Sequence, residues 1–328
     1  MEKGYEKGTV ISMSKIAFVF PGQGAQYVGM GKDFYDTYET AKQVIDLAGS
    51  VTGIDMEKLL FTENEQLNQT EYTQIAMLAI EVAMLKVLEE KGIRADMCAG
   101  LSLGEYGALA AAKVMELDDL FKLIRKRGLF MQEAYPEGGA MTAVLGMETA
   151  TIREICEAVT KEENKGVVSI ANYNCPGQIV ITGKKEAVDA ASERLTQAGA
   201  KRCVPLKVSG PFHSALLETA GQQLGKELAE VTVSDPVIPY YCNVNALAVT
   251  EKSMVKDLLE KQISSSVCWQ QSVEKMIADG ADTFIEIGPG KTLSGFMRKI
   301  DKSVRMMNVE KVEDLEKVIE TLAEEVAC

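Results

Sequence analysis

A single histidine, His213, serves all 328 residues, so chemistry that needs an imidazole near neutral pH has one place to find it. Positive charge is also short. Against 48 Asp and Glu stand 35 Lys and Arg, a net charge of −13 that repels nucleic acid and acidic lipid headgroups. The seven cysteines (Cys98, Cys156, Cys175, Cys203, Cys242, Cys268 and Cys328) are odd in number, scattered and without a C-x-x-C pair. They provide neither a zinc knuckle nor a disulfide framework, no metal site is expected, and a cytoplasmic setting fits. No apolar run reaches the ~18 residues of a membrane span. The two longest candidates, Ile75 to Leu88 and Cys98 to Met115, are interrupted by Glu81, Lys86, Glu105 and Lys113. The N-terminal MEKGYEKGTVIS is charged and has no apolar core of a signal peptide. With a second Met at position 13, residues 1–14 are expected to be an extension outside the fold, with Met1 and Met13 both open as starts. There is no internal repeat or low-complexity tract, and no coiled coil or swapped strand argues against a monomer.

Two phosphate-binding patterns are missing by one residue each. The loop in FVFPGQGAQ lacks the third glycine of G-x-G-x-x-G because Tyr27 stands there. The segment FIEIGPGKT lacks the first glycine of a P-loop because Ile285 occupies its place inside a strand. A dinucleotide site and an NTPase are both set aside.

What remains is ordinary globular composition, 46% apolar and 25% charged, arranged as strands alternating with helices. Strands are expected at Lys15 to Phe20, Asp96 to Gly100, near Val237 to Cys242 and at Thr283 to Ile287. Helices are expected at about 33–50, 71–91, Leu103 to Met115, 214–230, 252–263, 269–279 and Val312 to Val326, with RKRG at the end of another. Glu105 suits the positive end of its helix. This layout implies an α/β fold with a mostly parallel sheet, whose catalytic groups gather where strand ends meet helix starts. Between 137 and 208 the order becomes β-α-β-β-α-β, a split βαβ of ferredoxin-like type inserted into the larger layout.

Four segments carry chemistry. Gly100-Leu101-Ser102-Leu103-Gly104 is a G-x-S-x-G pattern between a short strand and an Ala-rich helix, the setting of a nucleophile elbow. Serine needs a base, and His213, in Ser209-Gly210-Pro211-Phe212-His213-Ser214, is the one imidazole available. The glycines around Gln23 let a backbone N–H approach a substrate oxygen, or simply make a tight turn. Arg127, in Arg125-Lys126-Arg127-Gly128, is either part of a solvated basic cluster at a helix C-terminus or a guanidinium turned inward to clamp a carboxylate.

Taken together, FPGQGAQ, GLSLGEY, RKRGLFMQ, NYNCPGQIVITG, SGPFHS and EIGPGKTL stand in the order and approximate spacing of the malonyl-CoA:acyl-carrier-protein transacylases, which the chain resembles over about 15–310. The resemblance implies an α/β-hydrolase-like core over 15–136 and 209–328 carrying the ferredoxin-like subdomain over 137–208. It implies a ping-pong transfer of malonyl from malonyl-CoA, through an ester on Ser102, to the phosphopantetheine thiol of a holo acyl carrier protein, supplying extender units for fatty acid biosynthesis without a cofactor. His213 would be the base, oriented by the backbone carbonyl of Gln262, with no acidic third member. The backbone N–H groups of Gln23 and Leu103 would form the oxyanion hole, Arg127 would hold the malonyl carboxylate, and Phe212 resembles the malonyl-selecting choice. The family motif most often reads G-H-S-x-G, so Leu101 is a departure. Carrier proteins are acidic, so docking on this anionic chain needs a basic patch, for which Lys122, Arg125, Lys126, Arg298 and Lys299 are candidates. The rival readings are a trans-acting polyketide acyltransferase, a serine esterase or thioesterase, and a carrier-binding relative without catalysis.

Overall fold

The computed structural model describes residues 14–162, 164–208 and 210–327. The expected extension therefore lies outside it except for Ser14, which hydrogen-bonds to Asp282 and, at 2.8 Å, to Thr283. Ser209 and Cys328 also lie outside.

Ten strands form two sheets among the described residues. They are β1 (Ile16–Phe20), β2 (Met97–Gly100), β3 (Gly139–Leu145), β4 (Val168–Cys175), β5 (Gln178–Lys184), β6 (Arg202–Pro205), β7 (Tyr240–Tyr241), β8 (Ala248–Val249), β9 (Thr283–Ile287) and β10 (Arg305–Val309). The larger sheet has the order β10-β9-β1-β2-β7-β8, parallel throughout except for the β7–β8 pair at one edge. The central β1 explains its own sequence. Phe18 and Phe20 face the apolar cluster that includes the helix Thr70–Glu90, whereas Ala17 and Val19 face the helices Trp269–Ala278 and Thr292–Ile300. A strand covered on both faces has no polar side to display. From β1 the chain builds outward in both directions, to β2 on one side and β9 on the other. That reversal is where a crevice opens at the carboxyl ends of the strands.

The helix Thr70–Glu90 is buried along most of its length, as an all-round apolar helix must be. No helix among the described residues is long and apolar enough to cross a membrane.

The smaller sheet is antiparallel, in the order β4-β5-β3-β6. Its helices Thr149–Thr160 and Lys185–Gln197 cover one face through Ile152, Val159, Val188 and Leu195. The other face presents Met141, Ala143 and Val180 to the main core. Backbone bonds Val267 N–H to Ala171 O (2.7 Å) and Tyr173 N–H to Val267 O (2.9 Å) tie β4 to the main body.

Several expected elements change. The strand expected near Val237 to Cys242 contracts to β7, and β8, β10 and the helix Met56–Phe61 are additional. The helix expected at Leu103 to Met115 becomes a 3₁₀ turn, Ser102–Gly104, followed by an α-helix at Glu105–Ala111. RKRG lies in the middle of the helix Leu117–Ala134 rather than at its end. The six described cysteines are free thiols, and no group of metal-ligating side chains occurs among the described residues.

Candidate active site

The turn after β2 is tight because its glycines touch. A Cβ on Gly100 would sit 1.9 Å from the carbonyl of Gly104, and one on Gly104 would sit 2.3 Å from the carbonyl oxygen of Phe20. Ser102 between them takes φ 55°, a left-handed conformation that costs a non-glycine residue about 1–3 kcal/mol unless its surroundings hold it there. Asn243, fully buried after β7, supplies the hold. Its Nδ2 donates to the Gly100 carbonyl (2.7 Å), and its Oδ1 accepts the Ser102 N–H (2.7 Å). Leu101 half-covers the turn, its side chain against Gly22.

His213 lies 2.7 Å from this serine, Nε2 to Oγ. Its Nδ1 is 3.0 Å from the backbone carbonyl of Gln262. A carbonyl only accepts, so Nδ1 carries the proton, and the neutral ring presents Nε2 as acceptor for the serine O–H. Burial and then the nearby Arg127 charge push the imidazole down to about 4, against hydrogen bonding to the backbone of Gln262 and Ser265, which favours the charged form. At neutral pH the ring is therefore a free base aimed at an alcohol.

Of the basic run, one side chain turns inward. Arg125 pairs with Glu71, both half-buried, and Lys126 with Glu227 nearer the surface, while Arg127 is fully buried. A Cβ on Gly128 would lie 2.9 Å from the Glu71 Cα, so that glycine lets the helix Leu117–Ala134 approach the helix Thr70–Glu90 closely. The Arg127 guanidinium donates to Gln74 Oε1 (2.7 Å), Gln262 Oε1 (2.9 Å) and Ser102 Oγ (3.3 Å), over the ring of Tyr106. Its Nε–H is buried without a partner. The solvated-cluster reading thus suits Lys126, holds only partly for the half-buried Arg125 over the Tyr72 ring, and fails for Arg127.

Gln262 joins the base to the cation. While its backbone orients His213, its side-chain Nε2 donates to Ser102 O (2.9 Å) and to Glu105 Oε2 (2.7 Å). Glu105 stands in the first turn of its helix as expected, and Oε2 also accepts the Asn243 N–H (3.1 Å). Burial pushes its carboxyl up to about 7, opposed by those two donors and by Arg127. No acid touches the histidine ring among the described residues.

Gln23, Ser102, Phe212 and His213 line one cleft of about 180 Å³ whose apolar walls include Met131, Met141, Val180 and Phe296. Gln23 enters on the loop after β1, its side chain 3.3 Å from the Thr70 hydroxyl. The Leu103 N–H is in the opening turn after Ser102, where no intrahelical carbonyl can reach it. The P-loop look-alike has a structural cause. Glu286 accepts the N–H groups of Leu293 (2.9 Å) and Ser294 (2.8 Å) and so caps the helix Thr292–Ile300.

Gln74 and Asn243 were not singled out from the sequence, and Glu105 only for its place at a helix start. The signal available was a buried polar residue inside an apolar run, as in TEYTQIAML, because such a group must find a partner.

Comparison with known proteins identifies the family. The acyl transferase domain family model matches residues 17–319. The malonyl CoA-acyl carrier protein transacylase of Bacillus subtilis (strain 168) is 44% identical over 315 residues, covering 95% of this chain and 99% of that protein. The MCAT crystal structure from Streptococcus pneumoniae superposes with a TM-score of 0.89 at 49% identity, over 94% of this chain and all of that one, 100%. The transacylase PlMCAT, solved with the type II PKS acyl-carrier protein AntF, superposes with a TM-score of 0.90 at 37% identity, over 94% of this chain and 100% of that one. A shared domain along nearly the whole chain, with identity above 40%, makes this protein a member of the malonyl CoA-acyl carrier protein transacylase family.

Proposed function

We propose that this chain transfers malonyl from malonyl-CoA to the phosphopantetheine thiol of a holo acyl carrier protein by way of an ester on Ser102. The observation that carries the reading is the meeting of three groups at one hydroxyl: the Ser102 Oγ, the neutral His213 Nε2 at 2.7 Å and the Arg127 guanidinium at 3.3 Å.

As the serine oxygen bonds to the thioester carbon, its proton passes to Nε2, and Gln262 O stabilises the resulting imidazolium through Nδ1–H. The tetrahedral oxyanion forms against the N–H groups of Gln23 and Leu103, each such donor being worth about 3 kcal/mol of barrier. The carbon–sulfur bond then breaks, and the leaving thiolate takes the proton back from His213. The same steps run in reverse from the carrier thiol. Arg127 offers the malonyl carboxylate a charged hydrogen-bonding partner. Phe212, buried beside His213 in the cleft wall, crowds a branched extender. Each step is met by side chains and the thioester itself, so no cofactor enters the proposal; malonyl-CoA is a substrate.

The strand order β4-β5-β3-β6, with both helices on one face, supports the ferredoxin-like reading of residues 137–208 on an α/β-hydrolase-like core of 15–136 and 209–328. The neutral carbonyl behind His213, in place of a carboxylate, favours transfer over the esterase and thioesterase readings. The carrier would dock beside the helix Thr292–Ile300, which contributes Thr292 and Phe296 to the cleft and exposes Arg298 and Lys299. Likeness to PlMCAT solved with a type II PKS carrier keeps polyketide carriers as a second reading beside fatty-acid ones. A cytoplasmic monomer suits either.

Incubation with labelled malonyl-CoA followed by a chase with holo carrier tests the proposal. Label should move from Ser102 to the carrier; rapid release of free malonate without carrier labelling would favour a hydrolase. Parallel chases with fatty-acid and polyketide carriers separate the two pathways.

A further inference from the structure

Arg127 is a buried cation held without an anion. None of the ion pairs among the described residues includes it. Two side-chain amides take the place of a carboxylate: Gln74 Oε1 at 2.7 Å and Gln262 Oε1 at 2.9 Å. Neither amide is free to turn around. The guanidinium only donates, so each must present its oxygen, and the Gln262 nitrogen is engaged with Glu105 Oε2 and Ser102 O. Gln262 thereby stands as a neutral spacer between Arg127 and Glu105, the acid that bears on it electrostatically. On the other side Gln74 also presents its oxygen to Arg127, and its nitrogen donates to Met131 Sδ at 3.5 Å. Gln74 immediately precedes the apolar run Ile75 to Ile80 in the helix Thr70–Glu90, is 1% exposed, and lines the same cleft as Ser102.

The geometry points to Gln74 as a positioning residue that sets acyl-group selectivity: with Gln262 it fixes the Arg127 guanidinium by neutral oxygens, so that the carboxylate of the incoming acyl group is the anion that neutralises it. A glutamate at position 74 would fit nearly the same space and reach the same N–H, but it would satisfy the cation internally. A substrate carboxylate would then have to compete with a built-in ion pair inside a poorly solvated cleft. A neutral acyl group would face no such competition. The unpartnered Arg127 Nε–H is a further sign of a donor set larger than the protein itself engages.

The inference rests on the malonyl-transfer reading, and its test separates the two. Single-turnover loading of Ser102 is followed by intact-protein mass spectrometry with malonyl-CoA and, separately, acetyl-CoA, for wild type, Gln74→Glu and Gln74→Met. The malonyl-to-acetyl rate ratio is expected to fall at least tenfold in Gln74→Glu. In Gln74→Met, which removes the acceptor and adds no charge, it should fall by a smaller factor. Should Gln74→Glu fail to fold, the Gln74→Met ratio decides, a fall supporting the proposal and an unchanged value overturning it. Parallel losses with both acyl groups, leaving the ratio unchanged, would mean that Gln74 is merely structural. Failure of wild type to form a malonyl ester at all would sink the transfer reading instead.

Discussion

Gln262 accepts the Nδ1–H of His213 through its backbone carbonyl at 3.0 Å, and this one contact decides which nitrogen of the ring faces the serine. Because a carbonyl stays neutral over the whole working pH range, the ring is oriented without an anion that would hold it protonated. Burial and Arg127 then keep it a free base, down to about 4.

That sets a pH expectation. A base works only while unprotonated, so loading of Ser102 is lost as pH falls through the histidine's own pKa. The acid limb of the single-turnover loading rate should therefore lie well below the ordinary imidazole value of about 6.5, toward the histidine's own value of about 4. A limb centred at 6.5 or above would contradict the buried, cation-facing ring described here.

Arg127→Ala removes the cation and its bond to the serine. Charged hydrogen bonds are worth about 1.5–3 kcal/mol, so malonyl loading should slow by roughly a hundredfold, while a neutral acyl-CoA suffers less. Arg127→Lys keeps the charge but not the fork that reaches two amides and a hydroxyl, and should recover only part of the loss. Equal losses for charged and neutral acyl groups in steady-state kcat/KM would refute a role in carboxylate recognition.

Glu81 offers a stability prediction away from the chemistry. It is fully buried against Gly107 and Gly288, both carboxyl oxygens lack a protein partner, and burial holds its pKa well above the usual range. The folded state keeps the proton that the unfolded chain releases above about pH 4.5, so this residue's contribution to stability declines as pH rises toward the folded value. Glu81→Met should stabilise the protein by ~2 kcal/mol near neutral pH and by less at pH 4. Denaturant melts at the two pH values check it; a variant destabilised at both would show that the carboxyl has a partner.

Docking makes a separable claim. Arg125 and Lys126 are already paired with Glu71 and Glu227, which leaves Lys122, exposed on the helix Leu117–Ala134, and Arg298 and Lys299, exposed on the helix beside the cleft and therefore the pair to test. Reversing both charges should weaken transfer to an acidic carrier, most strongly at low salt, and leave loading from malonyl-CoA within about twofold. Unchanged carrier kinetics would place the docking surface elsewhere.

The legible parts of the fold were those whose local pattern and tertiary setting agree. β1 is apolar on both faces because both are covered, and β9, buried throughout, falls where the sequence places it. β10 escaped because RMMNV is half-buried and lacks the alternation that marks a strand. β7 shrank because only Tyr240 and Tyr241 meet a neighbour in the parallel sheet. Ser102, His213 and Arg127 were readable from residue type and motif, since few side chains supply a nucleophile, a base and a fork of donors. Gln74, Asn243 and the side-chain role of Gln262 were not, because an amide acquires its role only from the partner that folding brings to it, as Gly100 and Ser102 are brought to Asn243.

The most direct test is rapid mixing with malonyl-CoA, quenching and peptide mass spectrometry of wild type, Ser102→Ala and His213→Ala. Wild type should carry one malonyl group on the Ser102 peptide, Ser102→Ala none, and His213→Ala should acquire it some 10²–10⁴-fold more slowly. A label on another residue, or loading of the His213 variant at the wild-type rate, would contradict a serine made reactive by this imidazole.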